Sequence, residues 1–127
     1  FSTFVPKANT PLQWFGREDG KSLEKKSNYL KKELHKIGVQ SSISSPKWDY
    51  YQAVLSRGDG NLTDYLIEIY NQGGKIGAFK KAAKDLNINT DYYAIENYDY
   101  KKTFPWDFIE IKPGKEFLIS ESQRLLK

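Results

Sequence analysis

Cysteine is absent from the 127 residues. Disulfides, thiolate nucleophiles and iron-sulfur ligation by this chain are excluded with it. Methionine is absent too and the first residue is Phe1, so the sequence is expected to be a piece of a longer polypeptide. Histidine occurs once, at His35, which leaves too few imidazoles for a His-rich zinc site or for a Ser-His-Asp triad with a spare histidine. No metal site and no catalysis by this chain alone are expected. No run approaches the roughly 18 apolar residues of a membrane-spanning helix, and no charged-then-apolar leader opens the chain. The expected location is therefore the cytoplasm, with no membrane partner.

What is present fits one folded unit. Hydrophobic residues make up 39% of the chain, charged residues 28% and aromatics 15%, a balance that supports a core. Twenty Lys and Arg against sixteen Asp and Glu leave a net charge of +4, with lysines gathered at 21–36 and 75–84. The count suits lysines on the solvated faces of amphipathic helices, and more weakly a nucleic-acid-binding face.

The apolar pattern divides the chain in two. Residues 2–6 are β-prone and closed by Pro6, residues 7–20 are rich in turn formers, and 22–37 place Leu23, Leu30, Leu34 and Ile37 on one helical face. Residues 39–44 alternate apolar and polar through Val39, Ser41 and Ile43, as a strand would. Strand, helix and strand in that order predict a βαβ unit with parallel strands, whose partner strands would lie in preceding polypeptide. Beyond residue 45 the pattern turns helical: Ser45-Pro46 opens one helix that stops near Gly58, Leu62 to Tyr70 a second, Ile76 to Leu86 a third, Thr90 to Asn97 a short fourth, and Lys115 to Leu126 a last one after an aromatic loop at 102–114. The expected fold class is thus α+β and helix-rich. Residues 1–45 would be the last segment of a partial β/α barrel, and 46–127 a C-terminal extension of about five packed helices.

Three places carry candidate chemistry. Pro6 and Pro11 stiffen the loop that leaves the first predicted strand, from which Lys7, Asn9, Thr10 and Gln13 present polar groups. At the C-terminal end of a barrel strand such a loop would line a ligand pocket; as a plain connection it would only seat Trp14 on the core. Arg57-Gly58-Asp59 reads first as a helix-ending turn, with Gly58 left-handed and Asp59 or Asn61 capping the next helix. Arg57 could also reach an anionic ligand, and the adhesion tripeptide it spells is a chance match in a chain without disulfides. In Phe104-Pro105-Trp106-Asp107 the aromatics anchor a loop by default, while Trp106 and Asp107 would shield a pocket mouth in the functional reading. The dispersed tyrosines and the solvent-facing His35 suggest packing and no specific role.

The segment Phe4-Val5-Pro6-Lys7, followed by Thr10-Pro11 and Gln13-Trp14, resembles the last barrel segment of radical S-adenosylmethionine proteins that carry a cobalamin-binding domain. The likeness continues in order through Arg57-Gly58-Asp59, residues 73–83, Asp91-Tyr92-Tyr93-Ala94, Phe104-Pro105-Trp106-Asp107 and Lys115-Glu116-Phe117-Leu118 with Glu121. It departs at Gly60-Asn61, where the family often has a basic pair, and at Phe108, where it commonly has histidine. The resemblance implies a parent enzyme that binds a 4Fe-4S cluster through a CxxxCxxC loop and cleaves S-adenosylmethionine, with cobalamin a further cofactor in some members. This chain would be its C-terminal portion, closing the barrel and shaping the substrate pocket through Lys7, Asn9, Thr10, Gln13, Arg57, Trp106 and Asp107. It would hold no cofactor itself, and its partner would be the N-terminal remainder of the same polypeptide. The alternative is a basic helical module that binds RNA or an acidic protein.

Overall fold

The computed structural model describes residues 1–126 and is helical. Helix α1 spans Gly20–Lys36, α2 Pro46–Ser56, α3 Thr63–Asn71, α4 Ile76–Asp85, α5 Thr90–Ala94 and α6 Lys115–Leu125, with one 3-10 turn at Gly60–Leu62. No described helix is long and apolar enough to cross a membrane.

The expected βαβ remnant is corrected by this architecture: no strand forms among the described residues. The two predicted strand segments do meet. Phe1 N donates to Ser42 O at 2.7 Å and Ser44 N to Phe1 O at 3.1 Å, the two bonds of a single parallel bridge, with α1 crossing between them. One bridge is not a ladder, because an isolated strand pair has no sheet face to bury and marginal stability in water. The α+β assignment therefore fails at the step from β-prone residues to paired strands.

The backbone after the first segment finds a different neighbour. Tyr98 N donates to Trp14 O at 2.7 Å and Arg17 N to Ala94 O at 2.9 Å, so residues 14–17 lie along the stretch that succeeds α5. The approach is close enough that a Cβ on Gly16 would fall 1.7 Å from Ile95 O. Glycine is required there for space. Gly58, expected to be left-handed, instead avoids a clash: a Cβ would lie 2.5 Å from Leu62 Cδ1, and its φ is not positive.

Two apolar clusters fill the interior. The larger joins α2, α3, α4 and α5 through Ala53, Val54, Tyr65, Ile69, Phe79, Ala82 and Tyr93. Each buried full-sized side chain contributes about 1.5–3 kcal/mol. The smaller packs Trp14 against Phe104 and Leu118, with Tyr100 edge-on to Trp14 at a ring separation of 5.1 Å. It ties the N-terminal loop to α6 across the whole sequence. On α2 the buried face is Asp49, Ala53 and Val54, while Trp48 and Leu55 are exposed. α1 buries only Ser27 and leaves Leu30 exposed, as is Ile37 just after its end.

Candidate functional site

The smaller cluster positions the one place where several of the predicted site residues converge. Residues 10–15 form consecutive turns, Gln13 N bonding to Thr10 O at 3.1 Å and Phe15 N to Leu12 O at 3.1 Å. Asn9 takes the left-handed conformation that asparagine tolerates, with φ 57°. These turns bury Gln13 and Trp14 together. The Gln13 side-chain oxygen accepts from Asn9 N at 3.0 Å and from the Trp106 indole N–H at 2.7 Å. Both lone pairs are then occupied, which locks the amide and fixes Trp106 over the loop. Trp106 in turn stacks on Phe104, rings 4.7 Å apart and 9° from parallel.

Asp107 closes the arrangement. Its carboxylate accepts from Phe104 N at 2.9 Å and from Lys115 Nζ at 2.6 Å, and Lys115 Nζ also reaches Lys102 O at 2.9 Å. Lys115 opens α6, so the ion pair clamps the aromatic loop to that helix. Asn9, Gln13, Asp107 and Lys115 line a cleft of 390 Å³ whose other wall includes Ile111 and Leu118. Its volume and its few polar groups set in apolar walls fall in the range of small-molecule clefts. Its donors and acceptors are held in place by these hydrogen bonds, which suits orientation of a ligand.

The other predicted residues lie elsewhere. Lys7 is exposed, and its carbonyl accepts from Thr10 Oγ1 at 2.8 Å, so the Thr10 hydroxyl serves its own turn. Arg57 is 2% exposed and does not face this cleft. Its guanidinium donates to Tyr93 O and Glu96 O, both at 2.8 Å, and sits 4.0 Å above the Tyr98 ring. The first carbonyl belongs to the last turn of α5 and the second lies just past its end, where a cation meets the negative pole of the backbone. Burial holds the Arg57 pKa below its ordinary value. The Tyr98 hydroxyl is pushed up to about 12 by burial, with Arg57 acting against the rise. Arg57 is thus a staple between α2 and the chain after α5, and its burial removes the adhesion reading.

Arg17 went unnoticed in the sequence. It is buried, donates to Pro46 O at 3.2 Å and weakly to Thr3 Oγ1 at 3.4 Å, and leaves its Nε without a partner. Thr3 Oγ1 also donates to Asp49 Oδ2 at 2.6 Å, and Ser44 Oγ to the same oxygen at 2.5 Å. Burial alone would raise the Asp49 pKa; the hydrogen bonds from Ser44 and Thr3, with Arg17 nearby, hold it below the usual carboxylate value. The only signal in the sequence was an arginine inside a turn-rich stretch, shortly before an Asp-Gly helix start.

No protein family, curated protein or solved structure matches this chain.

Proposed function

We propose that the chain is the C-terminal helical segment of a radical S-adenosylmethionine protein, docked on the remainder of the polypeptide and lending its 390 Å³ cleft to the rim of the substrate pocket. Without cysteine, and with no cluster of three or more potential ligand side chains among the described residues, its residues do not suit a 4Fe-4S cluster. No chemical step is assigned to them. Their part is to bind and orient: Asn9 and Gln13 hold the loop, Trp106 shields it, and the Asp107–Lys115 pair presents both charges at the edge.

One observation supports docking above the others. The two segments joined by the parallel bridge, and the α1 region between them, keep large apolar side chains in water: Phe4 is 53% exposed and Ile37 73%, with Phe1, Leu30 and Val39 also exposed. An uncovered apolar edge of this kind fits a contact surface, and the resemblance carried by the ordered landmarks from Phe4 to Glu121 supports the remainder of such a polypeptide as its occupant. The lysines favour the RNA reading less, since Lys26, Lys36 and Lys81 pair with the chain's own Glu18, Glu33 and Asp85.

The test is co-expression. The reading frame upstream of Phe1 should encode a CxxxCxxC segment, and that upstream product should elute with this chain in size-exclusion chromatography. Leu30→Asp with Ile37→Asp should abolish co-elution while leaving the chain's circular dichroism unchanged. A stop codon just upstream, or separate elution of the two products, refutes the assignment.

A further inference from the structure

A second cleft, of 870 Å³, opens on a different set of elements and is lined by the first turns of α1, α2 and α4: Gly20 and Lys21, Pro46 and Lys47, Ile76 and Gly77. Helix N-termini direct free amide N–H groups and partial positive charge outward. Of the three, only α1 has its own cap, the Asp19 side chain accepting from Lys21 N and Ser22 N; neither Ser45 before α2 nor Lys75 before α4 makes a side-chain cap bond.

Arg17 lines the same cleft and is only 3% exposed. A guanidinium has five N–H donors, and Arg17 engages one on Pro46 O and one on Thr3 Oγ1. It makes no direct ion pair: the Asp49 carboxylate lies one hydroxyl away, through Thr3 Oγ1, and the buried Arg17 Nε has no partner. Asp49 offsets part of the cost of burying this charge, and an anion in the cleft would offset more. Lys21, Lys47 and Lys80 stand around the same opening, also outside every ion pair among the described residues. Against these four cations stand Asp19, engaged in capping, Glu24, and Asp49 beside Arg17, itself held by Thr3 and Ser44.

The glycines add an independent sign. Gly20 and Gly77 occupy first turns with ordinary φ, and a Cβ on either would meet nothing within 4 Å. The fold does not need glycine at these two positions, where alanine would favour the helix. Bare backbone at the mouth of a cationic cleft allows close approach by a ligand.

We infer that this cleft binds a small organic phosphate, its phosphoryl group held by Arg17, Lys47 and the amides at the starts of α2 and α4, its organic part resting on Tyr51 and Ile76. The Tyr50 hydroxyl is already committed to Asp91 and Thr90, so the contact there is with apolar ring faces. The volume suits a ligand of nucleotide size.

Adenosine 5′-monophosphate, inorganic phosphate and adenosine serve as probes, followed by amide chemical shifts of the 127-residue chain and by calorimetry. The expected result is saturable shifts at Lys47, Ile76 and Gly77, with the monophosphate binding more tightly than phosphate and adenosine not binding. Gly77→Ala should leave the melting temperature unchanged or raised yet weaken binding, and Lys47→Ala with Lys80→Ala should weaken it by about tenfold or more. Shifts that do not saturate, equal binding of adenosine, or equal binding of monophosphate and phosphate overturns the assignment. So does a short oligouridylate that binds more tightly than the mononucleotide with a steep salt dependence, which would make the lysines a nucleic-acid surface.

Discussion

Replacing Arg57 by methionine separates a structural staple from a ligand-binding arginine. Methionine keeps the apolar stem but removes both donors, leaving the carbonyl of Tyr93 buried and that of Glu96 partly reachable by water. A stranded buried acceptor costs about 1–3 kcal/mol, and the lost cation–π contact with Tyr98, at 4.0 Å, about 1–2 kcal/mol. Relief of guanidinium desolvation offsets part of this. The net loss is about 2–4 kcal/mol, or a fall in melting temperature of about 10 °C for a domain of this size. Lysine keeps the charge but cannot fork to two carbonyls, so Arg57→Lys should recover no more than about half. Urea unfolding followed by tryptophan fluorescence and circular dichroism measures both. A change within about 0.5 kcal/mol for Arg57→Met, the range of an inconsequential surface substitution, would refute the staple and return Arg57 to the list of ligand contacts.

Gly16→Ala should cost about 3 kcal/mol or more, or prevent folding, because its Cβ would overlap Ile95 O; Gly60→Ala, with open space around it, is the matched control and should shift the urea midpoint little. Gln13→Leu should destabilise by about 2–4 kcal/mol by stranding Asn9 N and the Trp106 indole N–H, and Trp106→Phe by less, readable in the same unfolding experiment. The folded Asp49 pKa lies below its unfolded value, so its contribution is present above about pH 4 and is lost as pH falls through the lower, folded value. Asp49→Asn should flatten that acid limb of the stability–pH curve; an unchanged limb would disprove it. Tyr93 and Tyr98, raised to about 12 by burial, act in the opposite sense. Their contribution is complete below about pH 10 and fades as pH climbs through 12, which an alkaline absorbance titration with parallel circular dichroism would follow.

Local chemistry settled a good deal without any coordinates. Pro46 after Ser45 starts α2, Asn89, one of two caps the sequence offers beside Thr90, caps α5 through its side chain, Gly73 and Gly74 end α3 with left-handed φ, and Tyr65, Ile69 and Phe79 go inside while Leu66 and Tyr70 of the same apolar pattern stay exposed. Each depends on neighbours a few residues away, where spacing and propensity act directly. The convergence of Asn9, Gln13, Trp106 and Asp107 was half visible, in that both segments read as sites. That Asn9 and Trp106 share a single oxygen of Gln13 could not be seen, because the second bond spans most of the chain.

Only the tertiary structure decided which pattern wins when two are compatible with the same residues. The segments at 2–6 and 39–44 have strand-like sequences, yet a strand exists only as part of a sheet, and the single bridge between Phe1 and Ile43 gives neither a partner ladder nor a covered face. On α2 the apolar Trp48 and Leu55 stay exposed and the face turned inward is Asp49, Ala53 and Val54, chosen by the close crossing of α5 and by hydrogen bonds that reach back to Thr3 and Ser44. Arg17 and Arg57 look alike in sequence, each beside a glycine or an acid near a turn. Each buries an unpartnered Nε, and their remaining donors differ: one guanidinium forks onto two carbonyls at the end of α5 beneath a tyrosine ring, while the other makes two longer bonds beside an open cationic cleft. Periodicity fixes what a residue does along its own helix. What surrounds a buried charge is set by segments distant in sequence, and that surrounding determines which partners the charge can reach.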